Sequence, residues 1–289
     1  MAPDTTIRRF LMTTTLATTL PPQPVADDSP AARTRHTWTV GDYARIAEGF
    51  ATGAAGFVHR LGLARDERVL DVACGTGNLA LPAARLGAVV TGLDIAPSLL
   101  EQARRTAGAE GLAISFDEGD CTAMPYADAS FDTVMSMFGA MFAADQAAAA
   151  TELLRVCRPG GRIALANWTP EGFIGKLFAI VVRHAPPPAG GASPLAWGRE
   201  EQVRARLEGV RTLTTTRRMM TLSWSMSPAD VAMLFRTCYG PTLLAYGRVA
   251  EATAAALHAD LVALWQEHNR ATDGTTRVES EYLEIIAER

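Results

Sequence analysis

Between residues 68 and 168 the chain alternates short apolar runs with amphipathic stretches. "RVLDVA" (68–73), "VVTGLD" (89–94), "ISFDEG" (114–119), "FDTVMSM" (131–137) and "GRIALANW" (161–168) have the length and branched or aromatic content of strands. Residues 78–86, 97–109 and 143–157 separate them with helical spacing. Strands and helices alternating over short connections predict a parallel sheet covered on both faces, because parallel neighbours need a right-handed crossover. "RPGGR" (158–162) reads as the stop of the preceding helix and the turn into the fifth strand.

Upstream, Tyr43, Ile46, Ala47 and Phe50 fall at helical spacing, and residues 54–61 form a second helical stretch. After Trp168 the rhythm loosens. Residues 184–194, with three consecutive prolines, read as a loop; 197–209 as a polar helix; 210–225 as a strand; 227–240 as a helix opened by Ser-Pro; 250–268 as a long helix; and 277–288 as a last strand. The fold class predicted is α/β: a doubly wound, mostly parallel seven-stranded sheet, with an N-terminal helical lid and an insertion after the fifth strand. Residues 1–33 read as a disordered tail. One domain over 34–289 then divides into a lid (34–66), a core (67–168), an insertion or cap (169–209) and the completion of the sheet (210–289).

Composition narrows the partners. A formal charge of −4 with no concentrated basic face argues against nucleic acid or an anionic membrane surface. No apolar run approaches the roughly 20 residues that span a bilayer. Arg8 and Arg9 precede a mildly apolar stretch, as in a twin-arginine export signal, but threonines interrupt it and no A-x-A site follows. Cys74, Cys121, Cys157 and Cys238 are scattered, with no CxxC pair and no histidine at ligand spacing, so reduced thiols, no metal site and a cytoplasmic location are expected. Nothing in the sequence bears on oligomeric state.

The chemistry concentrates in "VLDVACGTG" (69–77). Gly75-Thr76-Gly77-Asn78-Leu79-Ala80 matches G-x-G-x-x-G/A between a strand and a helix, where glycine lets a ligand approach the backbone. Asp94 ends the next strand 19 residues after Gly75, the distance at which an acid accepts hydrogen bonds from a ribose diol. These features fit a dinucleotide or another adenosine cofactor. Asp71 discriminates. A carboxylate inside the apolar strand would repel a pyrophosphate, and burying it unpaired costs several kcal/mol. A ligand bearing an ammonium offsets that cost, which favours S-adenosylmethionine over NAD.

At this point the sequence resembles the class I S-adenosylmethionine-dependent methyltransferases, in particular the small-molecule branch similar to the ubiquinone/menaquinone-biosynthesis C-methyltransferases. The resemblance rests on "VLDVACGTG" (69–77), Asp94 in "GLDIA", Asp120 in "EGDCTAMPYADASFD" and "LLRVCRPGGRIALANW" (153–168), in order and suitably spaced. It implies that Asp71, Gly75 and Gly77 line the methionine end of the cofactor and that Asp94 binds the ribose. It further implies that Ile95 packs on adenine and that Asp120 with the Cys121 backbone reaches its amino edge. Ala73 stands where the family motif has its first glycine, a change tolerated if that residue has a negative φ.

Methyl transfer needs orientation and a water-poor cavity, and a base only if the acceptor loses a proton. No catalytic residue stands out. His36 and Tyr43 are the candidates if the first helices cover the site, though His36 also reads as an exposed histidine and Tyr43 as a packing residue. Trp38, Phe138, Met141, Phe142, Asn167 and Trp168 are candidates for the acceptor pocket. The insertion, with Phe173, Phe178 and Trp197, is expected to cap it. The function expected is methyl transfer to a small, partly apolar or aromatic acceptor. An NAD(P)-dependent oxidoreductase and a non-catalytic cofactor-binding protein are the alternatives.

Overall fold

A computed structural model describes residues 27, 29–188 and 192–289. The candidate export signal and residues 1–26 of the expected tail lie outside the described residues. Strands β1 (Arg68–Val72), β2 (Val89–Asp94), β3 (Ile114–Glu118), β4 (Phe131–Met137), β5 (Cys157–Trp168), β6 (Thr212–Trp224) and β7 (Thr276–Glu288) form one sheet in the order β3-β2-β1-β4-β5-β7-β6. The first five are parallel, and β7 runs antiparallel between β5 and β6. Apolar residues of β1 and β4 are buried on both faces, which is why these strands lack strict alternation. The strand order reverses between β1 and β4, and open α/β sheets bind ligands at such a switch point, outside the carboxyl ends of the strands.

The crossover helices are α4 (Ala80–Arg85), α5 (Pro97–Ala109) and α6 (Gln146–Val156). At the N-terminus lie α1 (Pro30–Thr39), α2 (Tyr43–Ala47) and α3 (Ala51–Leu61). Helix α1 starts inside the expected tail: Pro30 takes the first-turn position and the Ser29 hydroxyl accepts from the Ala32 N–H, so residues 30–33 are helical. The insertion contains α7 (Phe173–His184) and α8 (Glu200–Arg206), and α9 (Pro228–Cys238), α10 (Gly240–Tyr246) and α11 (Glu251–His268) follow β6. Ser227 caps α9 as its Ser-Pro start predicts.

One local expectation is corrected. "RPGG" is not a turn before β5 but part of it, with Cys157 opposite Phe131. The register slips between Phe131 and Thr133, and Gly160 supplies the φ of +71° that this irregularity needs.

Candidate functional site

The site is built at the carboxyl ends of β1, β2, β4 and β5. After β1 the backbone turns through left-handed conformations at alternate residues: Ala73 (φ +54°), Gly75 (+53°) and Gly77 (+89°). The condition for tolerating alanine at position 73, a negative φ, is therefore not met. The chain must leave the strand sharply enough for the Cys74 N–H to reach the Leu93 carbonyl at 3.0 Å, and the first position of the motif is left-handed like the other two. An L-residue there costs about 1–2 kcal/mol, which explains glycine as the family's choice. A Cβ on Gly75 would meet nothing closer than the Tyr43 ring at 3.7 Å, so this turn presents bare backbone to the cavity.

Both carboxylates at the turn are buried, Asp71 at 1% and Asp94 at 6% exposure. Their hydrogen-bond donors are backbone N–H groups. Ala80, at the start of α4, donates to Asp71 at 2.9 Å, whereas Gly75 and Ala96 donate to the two oxygens of Asp94 at 2.7 and 2.8 Å. Among the described residues neither carboxylate has a Lys or Arg partner. Burial pushes both above the usual carboxylate range, and for Asp71 the nearby Asp94 adds to the effect. The structure thus holds two close, incompletely compensated carboxylates beside an open glycine turn.

The cavity over this turn is lined by Asp71, Ala73, Gly75, Asp94, Ile95 and Cys121, and from above by Thr34, Trp38 and Tyr43. Phe138 and Phe142 also line it. Asp120 lies outside the lining; its carboxylate accepts from the Thr122 N–H at 2.8 Å and shapes the turn that presents Cys121. Gly77 is likewise outside, packed against Leu81. The Cys121 thiol is pushed up to about 12 by burial, with Asp120 and Asp94 adding to it, so it stays protonated.

A second, deeper chamber shares Tyr43, Phe50, Phe138 and Phe142 with the first and adds Trp168, Ile174, Phe178, Phe235 and Tyr239. Phe138 has a φ of +55°, a conformation costly for a bulky residue. Its ring lies flat on Trp168, with centroids 3.5 Å apart and planes within 7°.

Several expected pocket residues lie elsewhere. His36 is on α1 two residues from both Thr34 and Trp38; at about 100° per residue its side chain points away from the face they present. Met141 is fully buried and does not line the cavity. Asn167 alternates to the opposite face of the sheet from Trp168 and is buried there. Of the three insertion residues expected to cap the pocket, only Phe178 lines the chamber. Phe173 packs on Trp265 with centroids 4.5 Å apart, and Trp197 lies under the Arg206 guanidinium. Sequence reasoning missed Tyr239, which sits between α9 and α10 and packs against Trp38 and Tyr43. No spacing signal marks it. Tyr43 does reach the cavity, but burial and the Asp94 charge raise its phenol well above its ordinary value, so it is not a base at neutral pH.

Fold and site together define a Rossmann-like methyltransferase: the switch point carries a bare glycine turn, and its buried carboxylates fit a cofactor bearing ammonium and sulfonium charges. The family model described as "Methyltransferase domain" matches residues 69–161. An uncharacterised protein of Mycobacterium tuberculosis is 40% identical over 268 residues, covering 91% of this chain and 96% of that protein. The chain belongs to this methyltransferase family, and its cofactor is S-adenosylmethionine. The demethylmenaquinone methyltransferase of Deinococcus radiodurans is 42% identical over 127 residues, 43% of this chain and 53% of that one. In fold the chain is similar to a putative methyltransferase from Bacillus halodurans (TM-score 0.55, 20% identity, 82% of this chain and 98% of that one). These relationships favour neither the oxidoreductase nor the non-catalytic alternative. Among the described residues no helix is long and apolar enough to cross a membrane.

Proposed function

We propose that this enzyme methylates a small, largely apolar or aromatic acceptor held in the deeper chamber. The observation that carries the proposal is the continuity of two unlike cavities. One is lined by carboxylates and glycine backbone, and the other by aromatic rings with no charged side chain. Asp71 faces the ammonium end, Asp94 accepts from the ribose, and Ile95 and the Cys121 backbone meet the adenine. Bound in this way, S-adenosylmethionine supplies the activated methyl group. Phe138 and Phe142, at the junction of the cavities, exclude water and present ring faces to the transferring charge, an attraction on the order of 1 kcal/mol. An acceptor chamber walled by rings supports a small molecule rather than nucleic acid. The name of the Deinococcus radiodurans relative supports a flat, apolar acceptor of the quinone type. All four thiols are free, which supports a cytoplasmic location.

Incubation with methyl-radiolabelled S-adenosylmethionine and a fractionated metabolite extract should label an organic-extractable product. Tight cofactor binding without transfer, or labelling confined to anionic metabolites, would overturn the proposal.

A further inference from the structure

Among the described residues that line the deeper chamber, Tyr43 and Tyr239 are the only ones that carry a side-chain hydroxyl. They come from regions nearly 200 residues apart, yet the backbone ties them together. The N–H of Asp42, the residue before Tyr43, donates to the carbonyl of Cys238, the residue before Tyr239, at 3.1 Å. The crossing leaves no slack. Gly41, just before it, has φ +80°, and a Cβ there would come within 2.5 Å of the same Cys238 carbonyl. A Cβ on Gly240 would come within 1.8 Å of the Thr37 carbonyl. The two rings therefore sit side by side, centroids 6.3 Å apart, and Trp38 packs edge-on against both. Neither hydroxyl has a hydrogen-bond partner among the described residues, although Tyr239 is only 6% exposed. A hydroxyl that lines a cavity and has no protein partner is open to a hydrogen bond from a ligand.

The rest of the chamber fixes what that ligand is. The rings of Phe178 and Tyr239 are parallel to within 7°, with centroids 6.4 Å apart, and give the chamber flat walls. Among the described residues no Lys, Arg or His lines it to hold an acid, and no Asp or Glu lines it to hold an amine. We infer that Tyr43 and Tyr239 determine acceptor specificity, together hydrogen-bonding a ring oxygen of an uncharged, planar acceptor and orienting it toward the junction of the two cavities. This inference rests on the assignment of the deeper chamber to the acceptor. Both phenols remain protonated at neutral pH, Tyr239 through burial and its proximity to Tyr43, so they can donate to a carbonyl or share a proton with a phenol.

The test uses full-length protein saturated with S-adenosylhomocysteine, titrated calorimetrically with naphthalene, 1-naphthol, 1-naphthoate and 1-naphthylmethylammonium. The wild type should bind 1-naphthol about tenfold tighter than naphthalene, the size of effect expected for hydrogen bonds gained in a dry site. Tyr43→Phe and Tyr239→Phe should each remove part of that preference, and the double variant should abolish it with naphthalene affinity unchanged. Naphthoate and the ammonium probe should bind more weakly than naphthol. The inference is overturned if the double variant keeps the naphthol preference, if either charged probe matches naphthol, or if naphthol does not bind. It also falls if Tyr43→Phe weakens S-adenosylhomocysteine binding while the probe ranking stays the same. Failure of the wild type to bind S-adenosylhomocysteine would instead remove the cofactor-site assignment beneath it.

Discussion

Asp71 is the residue on which the charge logic of the site depends, and two substitutions separate its roles. Its carboxylate accepts the Ala80 N–H at 2.9 Å and so anchors the start of α4, at a site only 1% exposed. In Asp71→Asn the amide oxygen can still accept that hydrogen bond, while the buried charge disappears. The anchor weakens from a charged to a neutral hydrogen bond, but desolvation of the carboxylate is relieved, so the melting temperature should hold or rise. Binding should respond differently. Replacing an ionic contact with the ligand's ammonium by a neutral one costs about 1–1.5 kcal/mol, roughly a fivefold to tenfold weaker Kd. Asp71→Ala removes both functions, and losing the anchor should cost a further ~1–2 kcal/mol of stability. Calorimetric titration with S-adenosylmethionine alongside thermal melts measures both quantities. An unchanged Kd in a folded Asp71→Asn protein would refute the electrostatic role and leave Asp71 as a helix anchor only.

Two further outcomes follow from the same turn. Ala73→Gly removes a left-handed alanine worth about 1–2 kcal/mol of strain but adds about 0.4–1 kcal/mol of unfolded-state entropy, so the melting temperature should rise by about 1–2 °C; a fall would show that the Ala73 methyl packs productively. The raised values of Asp71 and Asp94 fix the sign of two pH dependences. The unfolded chain loses these protons near the ordinary value of 3.8, and the fold loses them only at higher pH. The contribution of these groups to apo stability is therefore full below 3.8 and declines as pH rises through the folded-state values. If, as proposed, the ionised forms face the cationic cofactor, its affinity should climb across that same window and level off above it. Affinity that falls with rising pH there would contradict the assignment.

The sequence revealed much of the cofactor half of the site because backbone geometry restricts residue type there. Left-handed positions at 75 and 77 select glycine, and the 19-residue interval from Gly75 to Asp94 corresponds to a real hydrogen bond between the Gly75 N–H and the Asp94 carboxylate. The same logic bears on Ala73: alanine is free of strain there only at negative φ, yet the turn imposes φ +54°. His36 failed for a related reason. Its place in the chain is right for a lid, but helical phase, which depends on where α1 begins, turns it away from Thr34 and Trp38. That start, at Pro30, lay in a segment whose composition suggested disorder.

The acceptor half was hard to read because an aromatic ring facing a cavity and one facing the core are the same residue type. Phe173 and Phe178 are five residues apart on one helix, yet Phe173 is buried against Trp265 while Phe178 lines the chamber. Nothing in their local sequence separates them. The proposal that the chamber is a binding site rests on a property that exists only after folding: two tyrosines brought together by the Asp42–Cys238 backbone contact, their hydroxyls without partners among the described residues. Each residue taken alone has the spacing and hydropathy of packing. Their pairing depends on the N-terminal helices meeting the α9–α10 junction across the mouth of the sheet, a contact between segments that no local periodicity relates. On the proposed reading, acceptor choice in this protein depends on residues that leave no motif, whereas the glycine turn, built on the backbone, leaves one.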